Sequence, residues 1–322
     1  MNILVTGGSG FIGSHLCRLL LSQGHDVLVL DDLSTGRYEN LEGLEDGRRL
    51  RLIVDSVNNA ALVDQCVREA DCVYHLASAV GVRLIIDQPV RTIESIVGGT
   101  ENVLKSCSRY RRPFLVTSTS EVYGKGSKVP FCEDDDTVMG PTSKRRWSYA
   151  SAKGLDEFLA LAYWVEARLP VVIARLFNTV GPRQTGQYGM VVPVFVRQAL
   201  RGEPITVFGD GQQSRCFAHV EDVVGSLVRL QDCPAARGQV VNIGNNEEIS
   251  IEGLAKRVKE LTASASEIRY IPYAQAYGEG FDDMQRRVPS LERAGALIGY
   301  RPARSLDVIL RDVIEYEKGV MS

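Results

Sequence analysis

Tyr149 and Lys153, in the run Trp147-Ser148-Tyr149-Ala150-Ser151-Ala152-Lys153, stand four residues apart, which puts both side chains on one face of a helix. An ammonium near a phenol favours the phenolate, so a tyrosine that ordinarily titrates near ~10 becomes a base usable closer to neutrality. The spacing alone is weak: with 12 tyrosines and eight lysines in 322 residues, chance supplies roughly 0.3 such pairs, so the surrounding motifs must carry the reading. Upstream, Thr117-Ser118-Thr119-Ser120-Glu121-Val122-Tyr123-Gly124 begins at the end of a predicted strand. Residues at the carboxyl edge of a parallel sheet face the ligand crevice. There a hydroxyl of the run can bond a substrate alcohol beside Tyr149, and a carboxylate can serve as acid, base or electrostatic probe. A Ser- and Thr-rich turn that satisfies only its own backbone is the competing reading.

A second constellation opens the chain. Thr6-Gly7-Gly8-Ser9-Gly10-Phe11-Ile12-Gly13 follows the first predicted strand and begins the first predicted helix, the context that a dinucleotide-binding loop requires. Gly7, Gly10 and Gly13 let the backbone approach a pyrophosphate, and the helix start at Phe11 and Ile12 offers free N–H groups and a favourable dipole. Asp31 ends the second predicted strand, 18 residues after Gly13; its carboxylate suits an adenosine ribose and repels a 2′-phosphate, so NAD is expected over NADP. Asp32 shares that ribose role or caps the next turn, and Asp55 reaches the adenine or caps the third strand. Arg37, close by, reads as a solvent-facing charge.

Elements must place these residues together. Asn2–Val5, Asp26–Leu30, Leu50–Val54, Cys72–Leu76, Pro113–Thr117 and Pro170–Leu176 are short apolar runs separated by helical patterns. That alternation predicts an α/β fold, a doubly wound parallel sheet of the Rossmann type, with a smaller C-terminal α/β substrate lobe. The dinucleotide-binding domain is expected over 1–177, with 217–243 returning to it, and the substrate lobe over 178–216 and 244–322. In that lobe Val191–Arg201 is expected to be helical, Gly181–Gly189 and Phe208–Gln213 are expected to be ordered loops, and the acidic run Glu133–Asp136 a solvated loop.

Composition narrows the partners. A formal charge of -3 gives no basic field for nucleic acid. No apolar run approaches the ~20 residues of a membrane span, and Met1-Asn2-Ile3-Leu4-Val5 enters the structured pattern directly, so a cytoplasmic protein is expected. The seven cysteines are scattered, without Cys-x-x-Cys spacing, which predicts reduced thiols rather than disulfides or a metal site.

Together with His75-Leu76-Ala77, Arg175-Leu176-Phe177-Asn178, Gly181-Pro182-Arg183 and Arg215-Cys216-Phe217 before His219–Asp222, these motifs resemble, over essentially the whole length, the extended short-chain dehydrogenase/reductase family. Within it they resemble the NAD-dependent nucleotide-sugar epimerases, dehydratases and decarboxylases. The resemblance implies that Tyr149 removes the C4 hydroxyl proton of a sugar while hydride passes to NAD. Lys153 lowers the tyrosine pKa and binds the nicotinamide ribose, Thr119 pairs with the same hydroxyl, and Leu76 and Ala77 line the cofactor site. It also implies that Asn178, Arg215 and Arg287 contact the substrate diphosphate or ribose, that Ser120 lies at the sugar, and that the protein is a homodimer joined through helices around Val90–Ser108 and Ser148–Ala167. Phe208 lies against the uracil of a UDP-linked substrate or packs in the lobe core.

The Thr119-Ser120-Glu121 run is similar to that of UDP-glucuronate decarboxylases and also to GDP-mannose 4,6-dehydratases, whereas simpler 4-epimerases carry a small neutral residue in place of Glu121. Ser120 stands where dTDP-glucose dehydratases have aspartate. Arg215 and Lys144-Arg145-Arg146-Trp147 resemble decarboxylase features, and Thr185 departs from the arginine of several UDP-glucuronate 4-epimerases. Ser78-Ala79-Val80-Gly81-Val82-Arg83 is instead similar to the loop of UDP-hexuronate 4-epimerases; Arg83 there pins a substrate carboxylate or contacts phosphate or solvent. The resemblance therefore implies a UDP-glucuronate decarboxylase, with a UDP-hexose or UDP-glucuronate 4-epimerase as the alternative and a 4,6-dehydratase more remote. A NAD-responsive binding protein without turnover is the competing class, because a fold does not establish catalysis.

Overall fold

Apolar strands in a parallel sheet need cover on both faces, and the arrangement of the helices follows from that need. The computed structural model describes residues 1–44, 49–78, 88–186, 190–273, 275 and 284–321. Strand β1 (Asn2–Thr6) leads to α1 (Phe11–Ser22), β2 (Asp26–Asp31), β3 (Leu50–Val54), α2 (Ala60–Glu69) and β4 (Cys72–His75). Then come α3 (Pro89–Tyr110), β5 (Phe114–Thr119), α4 (Trp147–Ala167) and β6 (Val171–Leu176).

The remaining elements are β7 (Thr179–Val180), α5 (Val191–Arg201), β8 (Ile205–Phe208), β9 (Ser214–Cys216), β10 (Ala218–His219), α6 (Val220–Asp232) and β11 (Gln239–Ile243). After them follow β12 (Glu248–Ser250), α7 (Ile251–Thr262), β13 (Ile268–Ile271), α8 (Glu292–Ile298) and α9 (Leu306–Met321). Seven strands form one parallel sheet in the order β11-β6-β5-β4-β1-β2-β3, with Val5 of β1 between Val29 and Tyr74. This is the Rossmann arrangement expected from the alternating runs. The order reverses between β1 and β4, so their carboxyl ends part and leave a crevice.

Each face has its own core. Leu16 and Leu20 of α1, Val223 and Leu227 of α6 and Ala294 of α8 pack on one side. Val63 and Val67 of α2, Val103 and Leu104 of α3 and Ala160 of α4 pack on the other. A separate core joins α5, α7 and α9, with Val196, Leu254, Ile309 and Leu310 fully buried, each contributing on the order of 1.5–3 kcal/mol by burial. Around it lie three two-stranded sheets, β7 with β10, β9 with β12 and β8 with β13. Among the described residues no helix is long and apolar enough to cross a membrane.

Two boundaries differ from expectation for a physical reason. The strands expected from Pro113 and Pro170 begin at Phe114 and Val171. Proline has no N–H for the ladder, yet the Pro113 and Pro170 carbonyls accept from Val73 and Phe114. The acidic run is also more than a solvated loop. Glu133 is buried and accepts the Asn242 N–H of β11 at 2.9 Å, and Asp135 accepts from Cys132 N at 2.7 Å. A carboxylate taken from water is retained because it satisfies backbone donors that would otherwise be orphaned. All seven cysteines are free thiols.

Candidate active site

The crevice at the strand ends widens into a cleft of about 660 Å³ that runs from the first βα turn to the C-terminal lobe. At one end, the glycine loop leaves no room for side chains. Gly7 adopts φ +72, and a Cβ there would meet the Ala77 N at 2.7 Å. On Gly13 a Cβ would lie 2.1 Å from the Gly7 carbonyl oxygen. Helix α1 begins at Phe11 with no side-chain cap and no acidic residue in its first turn, leaving its N–H groups for an anion. Gly7, Gly10, Phe11, Ile12, Gly13, Asp31, Asp32, Asp55, Leu76 and Ala77 all line this end.

Asp31 does structural work as well. Its carboxylate accepts Ser9 N at 2.8 Å and Leu33 N at 2.9 Å, tying the glycine loop to the end of β2. Burial pushes its pKa up, opposed by those backbone bonds. Asp32 and Asp55 line the cleft while holding their own turns: Asp32 accepts Ser34 N at 3.0 Å, and Asp55 accepts Ser56 N at 2.6 Å. The shape, the free helix start and the acidic edge fit NAD.

At the other end the turn after β5 carries Thr119, Ser120 and Glu121. Thr119 Oγ1 accepts the Glu121 N–H at 3.2 Å and stands beside the Tyr149 hydroxyl, whose pKa it draws down. The threonine therefore serves its own turn and the phenol together. Two buried networks hold this turn. Tyr123 OH donates to Asn242 Oδ1 at 2.7 Å with the Arg175 guanidinium over its ring at 4.8 Å. Arg175 in turn grips Glu157 through Nε at 3.0 Å and Nη2 at 2.7 Å. Glu121 projects into the cleft between two guanidinium groups, Arg287 at 2.6 Å and Arg146 at 3.5 Å. Arg146 packs over the Trp147 ring at 5.2 Å.

Tyr149 lines the cleft, but Lys153 lies behind its wall, 2% exposed, with Nζ 2.9 Å from Asp156 Oδ2. This differs from the expectation that the lysine lowers the phenol pKa. Burial and then the Glu121 charge push Tyr149 well above the usual tyrosine range, Thr119 opposing them. The reason is local, because the lysine charge is already compensated by a carboxylate. Asn178, Phe208, Arg215 and Arg287 line the substrate end. Asn178 Nδ2 donates to Cys216 O at 3.0 Å, and Arg215 Nη1 to Ser214 O at 2.7 Å. Phe208 closes β8 with its ring partly exposed to the cleft, so the loop expected from that residue starts one position later. Arg83 lies outside the described residues.

Sequence reasoning passed over the ion pair of Arg146 with Glu121 and the buried Asp156. Both had a readable signal: Arg146 stands three residues before Tyr149, and Asp156 three after Lys153.

Comparison with known proteins agrees with this architecture. The sequence model of the NAD dependent epimerase/dehydratase family matches residues 3–244. The UDP-N-acetyl-alpha-D-glucosaminuronate decarboxylase of Bacillus cytotoxicus is 38% identical over 314 residues, 97% of this chain and 96% of the relative. UDP-glucuronic acid decarboxylase 1 of Danio rerio is 38% identical over 314 residues, 98% of this chain and 72% of the relative. The crystal structure of UDP-glucuronic acid 4-epimerase from Bacillus cereus, in complex with UDP-glucuronic acid and NAD, superposes with a TM-score of 0.89 at 28% identity, covering 99% of this chain and 100% of that one.

Proposed function

This chain belongs to the NAD dependent epimerase/dehydratase family, and from that premise we propose that it is a UDP-glucuronate decarboxylase working through a 4-keto sugar. The observation that carries the reading is Glu121 held between Arg146 and Arg287 in the cleft that Tyr149 lines. Of these two, the Arg146 guanidinium gives a C6 carboxylate a cationic partner, Arg287 being assigned to the diphosphate and ribose. The relatives named for decarboxylation of a UDP-linked uronate support it.

Tyr149, as phenolate, takes the C4 hydroxyl proton while Thr119 holds that oxygen, and Lys153 steadies the tyrosine from behind the cleft wall. Held along the loop of Gly7, Gly10 and Gly13, NAD would supply the hydride chemistry at C4 in both directions, so that the reaction would be redox neutral overall. With C4 a ketone, the C6 carboxylate belongs to a β-keto acid. As carbon dioxide leaves, the C5–C6 bonding pair enters the C4–C5 enolate, and a proton placed on C5 from the Glu121 side restores the ketone. Orientation does most of this work. Ser120 sits with the sugar, Asn178, Arg215 and Arg287 hold the diphosphate and ribose, and Phe208 lies against the uracil.

Residues 1–177 with 217–243 form the NAD-binding domain and 178–216 with 244–322 the nucleotide-sugar lobe; the separate core of α5, α7 and α9 supports the division, while α8, through Ala294, packs on the sheet core. A cytoplasmic homodimer completes the reading. Free thiols support the compartment. An exposed apolar face made by Val90 and Ile93 of α3 and by Leu155, Phe158 and Val165 of α4 supports the dimer, and Phe158→Asp is expected to sediment as a monomer.

The deciding experiment is the product mass from UDP-glucuronate and purified protein. A product lighter by one carbon dioxide is expected. An unchanged mass with a new sugar selects the 4-epimerase, the second reading, which the Bacillus cereus neighbour favours. Turnover of UDP-glucose or GDP-mannose with UDP-glucuronate untouched rejects the assignment, and NAD affinity without any turnover points to a binding protein.

A further inference from the structure

Asp156 has no part in the steps above, yet it is a carboxylate buried near the base. It stands seven residues after Tyr149 and three after Lys153, on the same face of α4. Its Oδ2 lies 2.9 Å from Lys153 Nζ, with the two side chains 1% and 2% exposed. Burying two charges exacts a desolvation penalty that a packed apolar pair avoids. The polar chain continues behind it. Thr100 of α3 lies beside Asp156, and its Oγ1 meets His75 Nε2 at 3.0 Å. His75 Nδ1 meets Thr6 Oγ1 at 2.7 Å, and Thr6 Oγ1 accepts the Ala77 N–H at 3.2 Å. A polar chain thus runs beside the ion pair to β1 and to the turn after β4, whose Leu76 and Ala77 line the cofactor end of the cleft.

We propose that Asp156 is a positioning residue for the base, anchoring the Lys153 ammonium behind the cleft wall and setting how strongly that charge draws the proton from Tyr149. The inference rests on the reading of Tyr149 as the base. The charges around the group are few. From the turn after β5, Glu121 faces Tyr149, and from β4, His75 faces Lys153. On α4 itself Glu157 faces Asp156. Burial and Lys153 push His75 down to about 3, so it is neutral at working pH. Glu121 is balanced by Arg146 and Arg287. Asp156 is therefore the anion paired directly with the lysine, and with its charge removed the ammonium acts on the phenol undiminished.

The test is Asp156→Asn, which keeps shape and hydrogen bonding, with Asp156→Ser as a second variant. Three quantities are measured: NAD affinity, the pH profile of UDP-glucuronate turnover, and a phenolate difference-absorbance titration against Tyr149→Phe. The acidic limb of the profile and the phenol titration are both expected to move to lower pH by about one unit, a tenfold gain in rate on that limb. An unmoved limb and titration in a variant that binds NAD normally overturn the inference and leave the base reading intact. Loss of NAD binding with an unmoved phenol titration, or failure of both variants to fold, makes Asp156 a structural residue and overturns it too. A wild-type limb that Tyr149→Phe does not abolish overturns both readings.

Discussion

Replacing Gly13 by Ala tests the cofactor cradle at its tightest point. The added Cβ would sit 2.1 Å from Gly7 O and 2.7 Å from Gly8 Cα, more than an ångström inside ordinary contact. The obstructing atoms are backbone, and Gly7 is pinned in turn by the turn after β4, its own Cβ position lying 2.7 Å from Ala77 N. No rotamer relieves the overlap, so the loop itself must move. Overpacking of this kind costs about 1–3 kcal/mol, and the displacement falls on the segment that must cradle the pyrophosphate. If about 2–3 kcal/mol of that is charged to binding, NAD affinity drops roughly 30- to 150-fold. Gly225→Ala is the matched control: it lies within α6, nothing stands within 4 Å of its Cβ position, and it should raise stability by about 0.5–1 kcal/mol with NAD affinity unchanged. Calorimetric titration of both variants with NAD, beside their chemical unfolding curves, reads the two effects separately. Native NAD affinity in Gly13→Ala would refute the assignment of this loop as the cradle.

Tyr149→Phe should keep NAD affinity and lower turnover of UDP-glucuronate by about 10²–10⁴-fold, the usual worth of a general base; near-native turnover defeats it. Glu121→Ser should impair decarboxylation while C4 oxidation stays measurable in a single-turnover experiment, and no change in either step reduces Glu121 to a turn residue. Because the base must be deprotonated and its phenol is pushed up by burial and Glu121, turnover should climb with pH through neutrality; a flat profile contradicts this. Arg286 and Ser214 hold the Glu248 carboxyl down to about 2, so the unfolded chain binds its proton first as pH falls. The stability from this contact is full above the ordinary carboxylate range and is lost as pH drops towards 2. Glu248→Gln should flatten that part of the acid-unfolding curve, and an unchanged slope rules the contact out as its source.

Much of the fold was legible because it depends on local pattern. Apolar runs such as Asn2–Thr6 and Val171–Leu176 are buried strands whatever surrounds them, and a strand, a glycine loop and a helix in that order leave one geometry for the first turn. The cleft-lining residues from Gly7 to Arg287 were legible for the same reason, as their motifs close strands or open helices. What could not be read was how charges pair across elements. Glu133 reads as one of four acidic residues in a row, yet only the return of β11 supplies the Asn242 N–H that draws it inside. Lys153 reads as a cation beside a phenol, but whether it acts on Tyr149 depends on Asp156 and on Thr100 from another helix. Such pairings are decided by packing that connects residues far apart in sequence, and no spacing rule records them.

The turn that carries Thr119 and Glu121 is stitched to the last third of the chain. Phe131 N donates to Val288 O at 2.8 Å, Ser290 N returns a bond to Phe131 O at 2.8 Å, and Asn242 reaches both Phe131 O and Tyr123 OH. Arg287, the partner of Glu121, sits inside that stitch. During synthesis the glycine loop and first strands emerge early, so a nascent chain has the parts of a cofactor cradle long before it has a working reaction end. Competence is thus a late event, reached when the segment around Arg287 has left the ribosome and closed on the turn. A chain clipped before Arg287 would keep Tyr149, Thr119 and the glycine loop but lack the guanidinium that pairs with Glu121.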